Sequence, residues 1–236
     1  MSTNLPSPVI GILGKDILAT NESRGCCLWP PGYEAAVTAA GGKPIFLNVP
    51  GPGKNWGEAL DGVEGILFTG DETTNARIAT EQERLCQYCR KNSMPILGVD
   101  YGMHILNNTF GGNLFLDLAK EQPQALQHRH PPERGLRHAI MVDPGTRLSK
   151  IYGEGEIVVN SEHRKAVAKP GKGFRISARA LDGVTEAIEL ESEEWFAVGV
   201  QWHPASASAS GLDIQLFRGL IEACLQRNAV ALTSAA

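Results

Sequence analysis

Four short apolar runs recur through the first half of the chain: Val9-Ile-Gly-Ile-Leu13, Pro44-Ile-Phe-Leu-Asn48, Gly65-Ile-Leu-Phe-Thr69 and Pro95-Ile-Leu-Gly-Val99. A strand with one wet face alternates apolar and polar residues, whereas these runs are continuous, which predicts strands covered on both faces in a parallel sheet. Helical patterns lie between them. Tyr33, Ala36, Val37 and Ala40 stand at i, i+3, i+4 and i+7 with Gly41-Gly42 as a stop. The order βαβαβαβ is that of a doubly wound sheet. Further strands are expected at Arg137–Val142, Glu156–Asn160, Phe174–Ala180, Thr185–Leu190 and Phe196–Trp202, with hairpin-like spacing, before a closing amphipathic helix over Leu212–Gln226. The predicted fold class is therefore α/β, a flavodoxin-like and mostly parallel sheet with helices on both faces and a small antiparallel extension.

With 236 residues, 42% of them hydrophobic, the chain can build one core without disulfides or metals, burying roughly 70% of the surface its unfolded form exposes. No linker marks a boundary, so a single domain over 1–236, with its core at about 9–226, is expected. Lys and Arg number 22 against 26 Asp and Glu, a net charge of -4 without a basic run, which argues against a nucleic-acid surface. No stretch approaches the roughly 20 apolar residues that cross a bilayer, and Met1–Pro8 lacks the charged start of a secretory signal. Five cysteines, an odd number at irregular spacing, suit reduced thiols, and a cytoplasmic location is expected. Cys86 and Cys89 form a C-x-x-C inside a helical stretch, Glu81 to Lys91, and no second Cys or His pair follows at zinc spacing, so packing explains them better than metal or redox chemistry.

Ligands of such sheets sit at the carboxyl ends of strands. Three strand ends carry chemistry-bearing residues. In Gly98-Val-Asp-Tyr-Gly102 a strand meets a glycine-flanked turn and then a helix through Met103, Leu106 and Phe110, the pattern of a nucleophile elbow. The exposed side chain there is Asp100, which could equally cap the helix that starts at Tyr101. Val200-Gln-Trp-His203-Pro204 delivers a histidine from a buried strand, either as a catalyst or as a hydrogen-bonded structural residue. Phe68-Thr-Gly-Asp71-Glu-Thr-Thr74 is a turn-rich segment whose amides could form an anion nest or simply a loop.

Together with Val158-Val-Asn-Ser-Glu-His163 and Asp182-Gly-Val-Thr-Glu-Ala-Ile-Glu189, these segments resemble, in family order from about Val9 to Ile221, the landmarks of the class I glutamine amidotransferases, nearest the γ-glutamyl-γ-aminobutyrate hydrolase type. The resemblance implies a Cys nucleophile at the elbow, a His base, a Glu two residues later that orients the His, and oxyanion amides from the elbow and an earlier Gly-rich loop. The base position is His203. The nucleophile position is Asp100, the acid falls on Ala205, the Gln that usually follows the Cys by four falls on His104, and the oxyanion loop reads Thr69-Gly70-Asp71. Gly70, Asp71, Tyr101, His104, Ser161 and His163 are the expected ligand-binding positions.

A carboxylate can form covalent intermediates. From a tetrahedral adduct with an amide, however, carboxylate leaves more easily than amine, and forward collapse would give an anhydride uphill of the substrate. The expected function is a glutamine amidotransferase-like protein lacking conventional amidase activity, which binds a γ-glutamyl or amino-acid-like small molecule without a cofactor. Homo-oligomerisation is left open. Two alternatives stand beside it: an active hydrolase of γ-glutamyl or related amides, and a metal or acid-base site built from Asp100, His104 and His203, with His163 as a further candidate ligand.

Overall fold

The computed structural model describes residues 6–16, 27–28, 32–51, 53–69, 76–129 and 136–234. In chain order the strands are β1 (Val9–Leu13), β2 (Lys15–Asp16), β3 (Cys27–Leu28), β4 (Lys43–Leu47), β5 (Gly65–Thr69), β6 (Ile96–Val99), β7 (Asn113–Phe115), β8 (Arg137–Val142), β9 (Gly155–Asn160), β10 (Ala166–Lys169), β11 (Phe174–Ala180), β12 (Thr185–Leu190) and β13 (Ala197–Val200). The helices are α1 (Tyr33–Ala39), α2 (Trp56–Ala59), α3 (Ala76–Lys91), α4 (Tyr101–Thr109), α5 (Leu118–Glu121), α6 (Arg147–Tyr152) and α7 (Ile214–Ser234), the last preceded by a 3-10 turn at Gly211–Asp213.

Among the described residues one eleven-stranded sheet runs in the order β4-β1-β5-β6-β13-β12-β11-β8-β9, with β10 and β7 branching from β12, while β2 and β3 pair separately. Strands β4, β1, β5, β6 and β13 are parallel, and from β12 onward the pairings are antiparallel. The mostly parallel sheet and its antiparallel extension therefore meet at β13.

Alternate residues of the parallel strands feed two cores. Ile10, Ile12, Leu67, Leu97, Val99, Val198 and Val200 pack under α1 and α7 with Val37, Phe217 and Leu220. Leu13, Ile66, Phe68, Ile96 and Ala197 face Leu85, Met103 and Leu106 of α3 and α4. Two covered faces explain the unbroken apolar runs. Cys86 and Cys89 sit in the second core, where burial pushes the Cys86 thiol up to about 12 and Cys89 in the same direction. They are packing residues.

The branch β7–β10, the short pair β2–β3 and helices α5 and α6 were not among the expected elements. All are short, from two to six residues, and offer too few positions for a period to show. No helix among the described residues is long and apolar enough to cross a membrane.

Candidate functional site

Strand β6 ends under the first turn of α4, and the approach is so close that side chains at two positions would collide with backbone. A Cβ on Gly98 would lie 2.9 Å from the Gly102 backbone, and one on Gly102 would lie 1.9 Å from the carbonyl oxygen of Phe68. Only glycine fits there. The residue between them takes up the turn, and Asp100 stands at φ 49°, ψ -108°, a left-handed backbone rare for a non-glycine residue. Its amide donates to the Val200 carbonyl at 2.8 Å, tying the elbow to the end of β13. Asp100 occupies the cap position of α4, yet its side chain makes no capping hydrogen bond. The carboxylate is turned outward from the helix instead, toward Gln201 and His203.

Gln201 Nε2 donates to Asp100 Oδ1 at 2.6 Å, and His203 Nε2 lies 3.7 Å from Asp100 Oδ2. Both side chains are about one-quarter exposed, so the pair is partly open to solvent. The carboxylate only accepts, which fixes the amide of Gln201. Its NH2 faces Asp100, and its Oε1 faces His104 Nε2 at 2.9 Å. His104 must then carry its proton on Nε2, and the bare Nδ1 is buried without a hydrogen-bond partner. Burial lowers the pKa of His104, partly offset by the Asp100 charge, which keeps this imidazole neutral.

His203 is positioned from behind by Asn160 at the end of β9. The His203 amide donates to Asn160 Oδ1 at 2.9 Å, and Asn160 Nδ2 donates to the His203 carbonyl at 2.9 Å and to Ser206 Oγ at 3.3 Å. Tyr33 adds a buried hydroxyl with no partner, whose pKa is driven upward by burial and by the charges of Asp100 and Asp213. Ala205 supplies no acid. It packs at the first core, and its carbonyl meets the Gly32 backbone so closely that a Cβ on Gly32 would lie 2.1 Å away.

The expected site residues thus divide. Asp100, Tyr101, His104 and His203 gather at the carboxyl ends of β6 and β13, whereas Gly70 and Asp71 lie outside the described residues. Ser161 and His163 are buried in a different place. Ser161 Oγ donates to the His128 carbonyl at 2.9 Å, and the His163 ring faces His128 and Glu186. The metal reading that combined Asp100, His104 and His203 is corrected by this geometry. His104 turns its ring to Gln201, and the three make no ligand cluster among the described residues. Gln201 and Asn160 are the positioning residues that sequence reasoning passed over. Both stood inside the quoted motifs, and a polar residue flanking a strand-end His was the available signal.

The family profile described as Peptidase C26 matches residues 8–205. The chain belongs to the Peptidase C26 family, which is class I glutamine amidotransferase-like. A gamma-glutamyl-gamma-aminobutyrate hydrolase of Escherichia coli O157:H7 is 35% identical over 250 aligned positions, covering 95% of this chain and 96% of the relative. Protein NtpR of Enterococcus hirae is 27% identical, with coverages of 89% and 96%. Among solved structures, the glutaminase domain of Trypanosoma brucei CTPS with bound acivicin superposes with a TM-score of 0.62 at 18% identity, covering 93% of this chain and 94% of that one. That likeness carries the fold.

Proposed function

We propose that this Peptidase C26 member does not turn over γ-glutamyl amides and instead binds a small amino-acid-like ligand, neutral or cationic, beside Asp100. The observation that carries the reading is the state of the elbow carboxylate, which accepts the Gln201 amide at 2.6 Å and faces His203 at 3.7 Å. A carboxylate held this way is a poor attacking group, and its adduct with an amide returns to substrate because amine is the worse leaving group. The position corresponding to the family's acid is Ala205, so nothing there holds the His203 ring in one tautomer. A fixed negative charge at the mouth also repels an incoming carboxylate or a developing oxyanion and attracts an ammonium group.

An active hydrolase is the second reading, favoured by one feature: the left-handed backbone at Asp100 projects its side chain as an elbow projects a nucleophile. Assay of purified protein with γ-glutamyl-γ-aminobutyrate and with glutamine separates the two. We expect release of product at the buffer-blank level, since loss of one triad member alone costs on the order of 10⁴-fold. Turnover that vanishes in an Asp100→Ala variant would sink the binding reading and establish the hydrolase.

A further inference from the structure

Away from the elbow, His128, His138, His163 and Glu186 converge in the interior with one ligand-type atom each, all within 4.8 Å of one another. Glu186 Oε1 lies 3.2 Å from His128 Nδ1, 3.4 Å from His138 Nε2 and 3.3 Å from His163 Nε2, and the His128 and His163 nitrogens are 3.1 Å apart. Glu186 is fully buried, with neither oxygen in a hydrogen bond, and His138 Nε2 is equally without one.

The outer nitrogen of each ring decides where the protons are. His128 Nε2 meets Asp182 Oδ2 at 2.9 Å, His163 Nδ1 meets the Lys165 carbonyl at 2.9 Å, and His138 Nδ1 meets the Ala139 carbonyl at 3.2 Å. All three partners are acceptors, so each outer nitrogen holds the proton and each inner nitrogen of a neutral ring is bare. Three lone pairs and a carboxylate oxygen therefore face one another with no hydrogen between them. That arrangement repels itself unless a cation enters.

We propose that His128 Nδ1, His138 Nε2, His163 Nε2 and Glu186 Oε1 bind one divalent transition-metal ion, zinc in first place. Zinc–nitrogen and zinc–oxygen bonds of about 2.0–2.1 Å make the edge of a tetrahedron about 3.3 Å, and the four measured edges run from 3.1 to 3.4 Å. Carboxylate and carbonyl partners on the outer nitrogens are the supports that metal-bound imidazoles take. Four protein ligands at a buried tetrahedral point leave no open position, which assigns the ion a structural role. A cavity of about 480 Å³ bordered by Leu118, His128, Arg129 and His163 offers an entry path.

The ligands join the segment at His128, strand β8, the loop after β9 and strand β12. Two of these run straight to the elbow. Asn160, which holds His203, is three residues before His163, and the Gln201 backbone N–H donates to the Glu186 backbone carbonyl at 2.8 Å. The competing account is a shared proton: the Glu186 and Asp182 carboxylates override the effect of burial and raise the pKa of His128, and an imidazolium there would leave His138 Nε2 unpartnered.

The test uses the whole chain without a histidine tag, stripped with chelator, dialysed against zinc and measured by elemental analysis. One zinc per chain is expected, together with a higher thermal midpoint than the stripped protein. Cobalt in its place should give the intense visible band of a four-coordinate ion. Glu186→Gln and His138→Asn should retain less than about a tenth of an equivalent, and Asp182→Asn should bind about 10–100-fold more weakly. Asp100→Ala should keep its zinc. Stripped wild-type protein that takes up no metal would overturn the proposal in favour of the shared proton, a result that does not depend on any variant folding. Zinc lost in Asp100→Ala but kept in Glu186→Gln would place the ion at the elbow and overturn it equally.

Discussion

At the scale of single residues, the elbow separates what shapes a reactive position from what reacts. Gly98 and Gly102 let α4 press onto the sheet, and Asp100 takes the left-handed backbone at the cap position of α4. These features would activate a thiol, since a helix N-terminus favours the thiolate. We therefore expect Asp100→Cys to be alkylated by iodoacetamide at pH 7 about fifteenfold faster than a free model thiol, the gain in thiolate from lowering a pKa of about 8.5 to about 7. The double change with Ala205→Glu should be faster still, because an acid near His203 fixes its ring. Mass-spectrometric mapping should find Cys86, Cys89 and Cys224 unmodified, as burial raises all three and holds Cys86 and Cys224 at about 12, so that they stay thiols until far above pH 7. A new thiol no faster than the free standard would show that the elbow has lost its activating surroundings.

At the scale of elements, Glu189 on β12 explains how the antiparallel extension is locked to its helix. Its buried carboxylate accepts from the amides of Arg147 and Leu148 at the start of α6, at 2.8 and 3.0 Å, and from Arg175 Nε and Nη2 on the neighbouring strand at 3.0 and 2.6 Å. Removing the charge leaves the Arg175 guanidinium, which is about one-third exposed, partly uncompensated. Glu189→Gln should cost about 2–3 kcal/mol, read as a lower urea midpoint with an unchanged slope, whereas exposed Glu191→Gln should stay within about 0.5 kcal/mol. Equal midpoints for the two would show that α6 is held by its apolar contacts alone. Strand-length apolar runs made the parallel half legible in the sequence, and the Asp182–Glu189 motif marked β12 as a landmark. What the motif did was hidden. Glu186 and Glu189 sit three apart and point to opposite sides of the strand, one among imidazoles and the other at a helix start, and their partners lie between 14 and 58 positions away in sequence. Periodicity reports burial along one element, while His128 and His138 reach Glu186 only through the fold, so the cluster carried no local spacing to recognise.

At the scale of the whole molecule, the sheet should divide into zones of opening. Strands β1, β5, β6 and β13 have neighbours on both edges and cores on both faces, so their amides should exchange with solvent slowest, at the rate of global unfolding. Amides of β4, β9 and the β7–β10 branch should exchange faster, and hydrogen-exchange mass spectrometry resolved to peptides reads the order directly. If the branch were as slow as β6, the antiparallel extension would open only with the rest. The position of β13 also imposes an order in time. Asp100 and Gln201 are 101 residues apart in sequence, and β13, the last strand made, enters between β6 and β12. During synthesis the open edge of β6 therefore emerges long before its partner, an apolar strand with unpaired amides and carbonyls that waits for β13 about 100 residues later. The contacts of Asp100 with Gln201 and His203 form last, and a nascent chain completes its elbow only with the strand that also removes its most adhesive edge.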